Sequence, residues 1–145
     1  MIALRLYPIF PQLARAALRD TVLPRGGGRD GTLPIYVPKG SFFAATLYAL
    51  HREASIYGER TEDFIPDRWH SIKPGAFEFM PFGQGRHTCL GQLKAQSETA
   101  YILCRLALVF ERLIPDDTEY AALERMTASN ANGCMLKLVP ASAAR

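Results

Sequence analysis

Apolar residues at helical spacing mark the most regular part of the chain. Between residues 91 and 113 they recur on one face of a 3.6-residue period, as in an amphipathic helix. The positions that form this stripe are Leu93, Ala100, Leu103, Ala107 and Phe110, with Ile102 and Leu106 widening it. The spacing predicts one long helix over 91–113 that packs its apolar face against the core and is ended by Pro115.

Shorter patterns fill the first half of the chain. Residues 1–7 are predicted to form the last turns of a helix that Pro8 stops. Two apolar stretches, 13–18 and 33–37, flank a turn-rich insert at 23–31. That arrangement predicts a two-strand excursion with a loop between the strands.

The remaining segments predict mixed secondary structure. Residues 41–52 are typical of a short strand that runs into a helix, whereas 59–75 are polar and interrupted by prolines. Residues 127–139 predict a closing hairpin, with a turn at 130–133 and a strand over 134–139. Together with the long helix, these elements predict an α+β fold.

Composition excludes several classes of protein. A length of 145 residues fits one domain, and 48% hydrophobic with 21% charged residues is ordinary for a globular chain. The net charge of +3 is too small to indicate a nucleic-acid partner. The longest apolar run, 42–50, is far shorter than a membrane span, and Arg5, Pro8 and Pro11 interrupt the N-terminus, so we expect no anchor or secretion signal within this sequence.

The three cysteines, Cys89, Cys104 and Cys134, cannot all pair with one another, and none belongs to a Cys-x-x-Cys motif. This usage favours a reducing compartment. Cys89 stands out because it lies in a glycine-broken loop, residues 81–91, directly before the predicted long helix. The start of a helix favours a thiolate, and the neighbouring Arg86 and His87 offer donors to acidic groups. We call residues 81–91 the ligand loop.

The ligand loop resembles the haem-binding signature of the cytochrome P450 family, Phe-x-x-Gly-x-Arg-x-Cys-x-Gly. Phe82, Gly85, Cys89 and Gly91 stand at their pattern positions, and His87 stands where the pattern usually has arginine. The resemblance implies haem b as the cofactor and Cys89 as its axial thiolate ligand. It implies that Phe82 packs beside the sulfur and that the two glycines allow close backbone approach. The competing interpretation is a buried, inert cysteine after a glycine-rich turn.

Three further segments extend this resemblance. Residues 4–8 are similar to the end of the family's Glu-x-x-Arg helix, with Arg5 as its arginine, and 64–69 resemble the Pro-x-Arg-Phe/Trp segment, with Arg68. Residues 11–15 resemble the strand whose arginine, here Arg15, pairs with a haem propionate, a role for which His87 is the other candidate. The pair His51-Arg52 also stands where the family often has a similar pair.

The sequence differs from the family pattern at one position. There the family has a glutamate whose carboxylate lies between two arginines. The position of the expected glutamate is occupied by Ile2, whose side chain cannot neutralise Arg5 or Arg68. We therefore expect these two arginines to be under-compensated, because burying a cation without a counter-charge is costly. Asp63 and Asp67 are the candidates for partial replacement.

The resemblance also implies an activity and its partners. An intact relative is a monooxygenase that inserts one oxygen atom of O2 into a small lipophilic substrate and receives electrons from a flavoprotein reductase. A basic surface formed by Arg86, His87 and Lys94 would suit an acidic electron donor. The insert at 23–28 resembles fungal members that hydroxylate n-alkanes and fatty acids. The residues expected to line the substrate site are Ile9, Phe10, Leu13, Ala131, Asn132 and Gly133.

Chains of the family are several times longer than this one and carry their oxygen-activating helix upstream of the Glu-x-x-Arg helix. We therefore expect residues 1–145 to be a partial domain, the carboxy-terminal portion of the fold, inactive alone. Membrane association, on the cytosolic face of the endoplasmic reticulum, would come from a missing upstream anchor. Two alternatives are a non-catalytic fragment that binds haem or pairs with a complementary chain, and a small metal-binding or redox-thiol protein that uses Cys89 with His87.

Overall fold

The structure is a computed structural model that describes residues 1–116 and 118–141. It contains five α-helices and one 3-10 turn within those residues. The helices are α1 (Ile2–Leu6), α2 (Leu47–Leu50), α3 (Ala54–Tyr57), α4 (Arg68–Ser71) and α5 (Gln92–Val109). The strands are β1 (Gln12–Ala16), β2 (Thr21–Gly27), β3 (Leu33–Val37), β4 (Phe42–Thr46), β5 (Phe110–Pro115), β6 (Ala122–Glu124), β7 (Ala128–Asn130) and β8 (Leu136–Pro140). The predicted α+β class is confirmed.

The strands form four separate antiparallel pairs. In each half of the chain, the two strands of one pair lie between the two strands of the other pair in the sequence. In the first half β2 pairs with β3, and β1 pairs with β4 outside them. The prediction that 13–18 and 33–37 flank a single loop was wrong, because most of the insert is itself strand β2. Its register shifts between Leu23 and Gly27, so the glycine-rich stretch forms an irregular strand end.

The carboxy-terminal strands follow the same nested plan. β6 pairs with β7, and β5 pairs with β8 around them. The predicted closing hairpin over 127–139 was therefore wrong, since its two halves belong to different sheets. The turn at 130–133 is present: the Gly133 amide donates to the Asn130 carbonyl at 3.1 Å, and Gly133 has a φ of +72°.

The long helix is confirmed but is shorter than predicted. α5 ends at Val109, and the following residues extend into β5. Phe110 has φ −118° and ψ 131°, which is extended backbone. Pairing with β8 thus outweighs helix continuation, and Pro115 ends a strand instead of a helix.

Buried residues cluster around α1, α2 and α3. The apolar members are Ile2, Leu6, Leu47 and Tyr57, and the polar members are Arg5, His51 and Arg68. Within the described residues none of the α5 side chains is buried, and Leu93 and Leu103 are 78% and 58% exposed. The expectation that this helix packs its stripe against the core was wrong for this chain. No helix in the described ranges has the length and apolar character needed to cross a bilayer.

Candidate functional site

Backbone hydrogen bonds fold the ligand loop back on itself and fix Cys89. The Cys89 amide donates to the Phe82 carbonyl at 2.8 Å, and the Gly83 amide donates to the Met80 carbonyl at 3.0 Å. Gly83 and Gly85 both have a φ of +73°, which L side chains rarely adopt. The loop thus holds the exposed Cys89 thiol two residues before Gly91, the N-cap of α5.

Cys89 opens onto a cleft of about 350 Å³. Segments from three parts of the chain line it: the stretch after α1, strand β1, and the ligand loop with the start of α5. The predicted site residues that meet there are Ile9, Phe10, Leu13, Arg15, Phe82, His87 and Cys89. Leu47, Pro81, Gly83 and Ala95 also line the cleft and were not predicted.

Local structure explains this meeting. Leu13 and Arg15 are two positions apart on β1, so they lie on the same face of the strand. β1 pairs with β4, and Leu47 directly follows β4, where it is 1% exposed. The apolar wall of the cleft therefore rests on the buried core. Leu47 could have been recognised from its place at the strand–helix junction of the predicted segment 41–52.

Six other predicted residues do not line this cleft. Gly85, Arg86 and Gly91 lie in the ligand loop with their surfaces turned to solvent. Ala131, Asn132 and Gly133 lie in the turn after β7, where the Ala131 amide donates to the Ala121 carbonyl and the Asn132 side-chain amide to the Glu119 carbonyl. These bonds tie the turn to 119–121, and the assignment of its residues to the substrate lining stays a prediction.

The proposed basic surface is less cationic than the sequence indicates. The Lys94 ammonium lies 3.7 Å from the Glu98 carboxylate, one helical turn along α5. Such exposed pairs contribute little stability but offset charge locally. Arg86 and His87 remain exposed at the adjacent turn.

Arg5 and Arg68 are held by backbone carbonyls. Arg5 donates to the carbonyls of His51 at 3.0 Å, Thr61 at 2.6 Å and Asp63 at 3.1 Å. Arg68 donates to the carbonyls of Tyr57, Glu59 and Arg60. In the described part of the chain no carboxylate pairs with either guanidinium, and both Nε atoms are buried without a hydrogen-bond partner.

The carboxylates suggested as substitutes pair elsewhere. Asp63 binds Arg60 at 2.6 Å, and Asp67 lies 3.9 Å from His70. Asp63 reaches Arg5 through its main-chain carbonyl only, so the proposal that its carboxylate replaces the glutamate was wrong, as it was for Asp67. Burial lowers the pKa of Arg5, and the nearby charges of Arg68 and Arg52 lower this pKa further.

His51 is the buried polar residue whose role the sequence did not predict. It is fully buried, and its Nε2 accepts a hydrogen bond from the Met80 amide at 3.2 Å. Burial lowers the pKa of His51 to about 4, the Leu4 carbonyl opposes this shift, and the charges of Arg5 and Arg52 add to it. Nearby, Tyr57 donates to the Glu78 carbonyl at 2.8 Å, and burial raises the pKa of Tyr57 to about 12.

Comparison with known proteins identifies the class to which this site belongs. The family model described as Cytochrome P450 matches residues 3–137. The chain is 45% identical over 137 residues to the cytochrome P450 monooxygenase fsdH of Fusarium heterosporum, covering 94% of this chain and 24% of that protein. It is 42% identical over 140 residues to cytochrome P450 52A6 of Candida tropicalis, covering 93% and 27%. It is 46% identical over 119 residues to cytochrome P450 52A3-B of Candida maltosa, covering 81% and 23%.

The chain therefore belongs to the cytochrome P450 family, and the predicted resemblance is confirmed. It spans about a quarter of the length of the curated relatives it matches. Haem iron is the cofactor of this family and cysteine thiolate is its protein ligand.

The chemistry of the cleft fits a haem. A porphyrin presents a broad apolar face, and its two propionates are anions. The cleft has a largely aliphatic and aromatic lining, two basic side chains in Arg15 and His87, and the Cys89 thiol. Among the described residues no three His, Cys, Asp or Glu side chains are grouped to hold a bare metal ion.

Proposed function

We propose that Cys89 is the axial thiolate ligand of haem b seated in this cleft, as part of a monooxygenase that acts on lipophilic substrates. The observation that carries the proposal is the meeting of an exposed thiol, two basic side chains and an apolar lining in one cleft. These groups come from separate parts of the chain, so the fold is needed to bring them together.

Each residue of the cleft has a separate task. The Cys89 sulfur would hold the iron and donate electron density to it, and Phe82, which lines the same cleft, would limit the access of water. Arg15 and His87 would bind the propionates, and the guanidinium would be the stronger partner because it offers paired donors. Gly83, with its left-handed backbone, allows the turn that brings Phe82 and Cys89 together.

When bound, the haem supplies oxygen activation, by which one atom of O2 enters a substrate C–H bond and the other leaves as water. The electrons for this reaction come from a flavoprotein reductase. The chain's own contribution on the substrate side is the apolar wall of Ile9, Phe10 and Leu13, which excludes water and contacts an aliphatic chain.

We extend the proposal to n-alkanes or fatty acids as the substrate class. The insert at 23–28, which forms the end of β2 and its turn, supports this extension by its likeness to fungal members of that kind. The similarity to two P450 52A proteins of Candida species is consistent with it. The endoplasmic reticulum, cytosolic face, is the corresponding location for the intact protein.

The alkylation rates of the three thiols, measured with and without haem, test whether haem binds in this cleft. Haem bound in the cleft should slow the alkylation of Cys89 by iodoacetamide at least about tenfold, which corresponds to 1.4 kcal/mol of protection. Cys104 and Cys134 are exposed outside the cleft and serve as internal controls whose rates should stay within about twofold. The three rates are read by mass spectrometry of the same reconstituted chain.

Equal alkylation of all three thiols with and without haem would contradict this seat. The same haem-loaded sample tests the substrate class, since lauric acid should shift the haem absorption spectrum. The shift should be lost in Leu13→Asp, which places a charge in the cleft, and kept in Leu33→Asp, which lies on β3 outside it. An identical shift in both variants would remove Leu13 from the substrate wall.

A further inference from the structure

His51 lies between helix α1, which contains Arg5, and the start of the ligand loop. Its main-chain carbonyl accepts a hydrogen bond from the Arg5 guanidinium at 3.0 Å, and its amide donates to the Leu47 carbonyl at 2.9 Å. Its ring lies 5.1 Å from the Phe79 ring. The residue is 0% exposed, so its position is fixed on all sides by the protein.

The imidazole of His51 acts as an acceptor. The Met80 amide donates to Nε2 at 3.2 Å, which requires that Nε2 carry no proton and that the neutral ring be protonated at Nδ1. Within the described residues Nδ1 has no hydrogen-bond partner, although it is buried. Nε2, on the Met80 side, is therefore the ring nitrogen with a defined hydrogen-bond partner.

Met80 directly precedes the ligand loop in the sequence. Its carbonyl accepts from the Gly83 amide at 3.0 Å, and the Phe82 carbonyl accepts from the Cys89 amide at 2.8 Å. Hydrogen bonds and the backbone of residues 80–83 thus connect the His51 ring to the backbone of Cys89.

We propose that His51 is a positioning residue: it anchors the ligand loop to the buried residues around Arg5 and so fixes the position of Cys89. The proposal rests on the proposed function only in that Cys89 is the haem ligand. The anchoring itself is a property of the haem-free chain. A histidine that only fills space would not need an acceptor at Nε2. Variants with and without such an acceptor therefore distinguish anchoring from simple packing.

The matched variants are His51→Leu and His51→Gln. Both remove the ring contact with Phe79, but glutamine retains an acceptor near the Nε2 position and leucine has none. In His51→Leu, amide hydrogen exchange at Met80, Gly83 and Cys89 should accelerate at least about tenfold, because these amides open locally once the anchor is lost. In His51→Gln the same amides should stay within about threefold of wild type.

Amides of the β2–β3 pair, which forms a separate sheet, serve as the control and should be unchanged in both variants. Equal acceleration in the two variants, or none in either, would overturn the proposal. If His51→Leu does not fold, the wild-type chain provides the test: its NMR spectrum should show a scalar coupling between His51 Nε2 and the Met80 nitrogen across the N–H···N bond. Absence of that coupling, with the Nε2–H form present, would also overturn it.

The outcome is separable from that of the proposed function. Exchange and coupling are measured without haem, so the anchor can be present even if haem fails to protect Cys89. If both hold, the ferrous carbon monoxide spectrum of His51→Leu should show a smaller thiolate-type fraction than that of His51→Gln.

Discussion

The variant Ile2→Glu should be more stable than the variant Ile2→Gln. Ile2 is buried, with 8% of its surface exposed, so both variants lose the same apolar packing. Ile2 and Arg5 are three residues apart on α1, so a carboxylate at position 2 lies on the face that carries Arg5. It would supply an acceptor where the Arg5 and Arg68 Nε atoms have none among the described residues. We expect a gain of about 2 kcal/mol, the usual contribution of a hydrogen bond to a charged group.

Glutamine is the matched control because it has the same shape and removes the same isoleucine from the core. The comparison is made by urea titration of both variants. The guanidiniums should hold the glutamate ionised, so its advantage is present above the unfolded pKa of about 4.3 and is lost as the pH falls further. A glutamate variant no more stable than the glutamine variant at neutral pH would mean that the carbonyl groups already satisfy both arginines.

Stability should depend on pH through His51. The folded pKa of His51 is lowered from 6.5 to about 4, so between these values the unfolded chain binds more protons than the folded chain. The contribution is fully present above pH 6.5 and is lost as the pH falls toward 4. A shift of this size corresponds to roughly 3 kcal/mol at 1.36 kcal/mol per pKa unit.

His51→Gln provides the control, since it keeps the acceptor for Met80 and removes the titrating group. Arg5 and Arg52 are the charged side chains that act on the His51 pKa. Arg52 is itself paired with Glu62 at 2.9 Å. The difference in unfolding free energy between wild type and His51→Gln, measured by denaturant titration from pH 4 to 7.5, should change in this window. A constant difference would show that His51 is not a buried neutral base.

Sequence reasoning located the candidate ligand because the chemistry of the ligand loop is local. The spacing of Phe82, Gly85, Cys89 and Gly91 contains the whole signal. The junction of β4 with α2 was likewise predicted, since both elements are short and adjacent.

Strand pairing was not predicted correctly, because it depends on partners that are distant in the sequence. β2 contains Pro24, Gly26 and Gly27, a composition typical of a loop, yet it pairs with β3. Residues after Val109 fit a helix by their apolar spacing, and the pairing of β5 with β8 decides otherwise. Local propensity cannot distinguish these outcomes.

The buried polar cluster was only half visible from the sequence. The missing glutamate could be inferred at Ile2, but the carbonyl groups that receive Arg5 and Arg68 have no sequence signature. His51 was noted only as a member of a pair with Arg52. Its acceptor role depends on a main-chain amide 29 residues away.

Thiolate ligation by Cys89 is tested most directly by the ferrous carbon monoxide spectrum of the haem-reconstituted chain. The wild-type chain should give the red-shifted Soret band of a haem thiolate, and so should Cys104→Ser, which removes an exposed thiol of α5 outside the cleft. Cys89→Ser should lose this band completely while its far-ultraviolet circular dichroism stays unchanged. Persistence of the band in Cys89→Ser, or its absence from the wild-type chain, would contradict the assignment of Cys89 as the iron ligand.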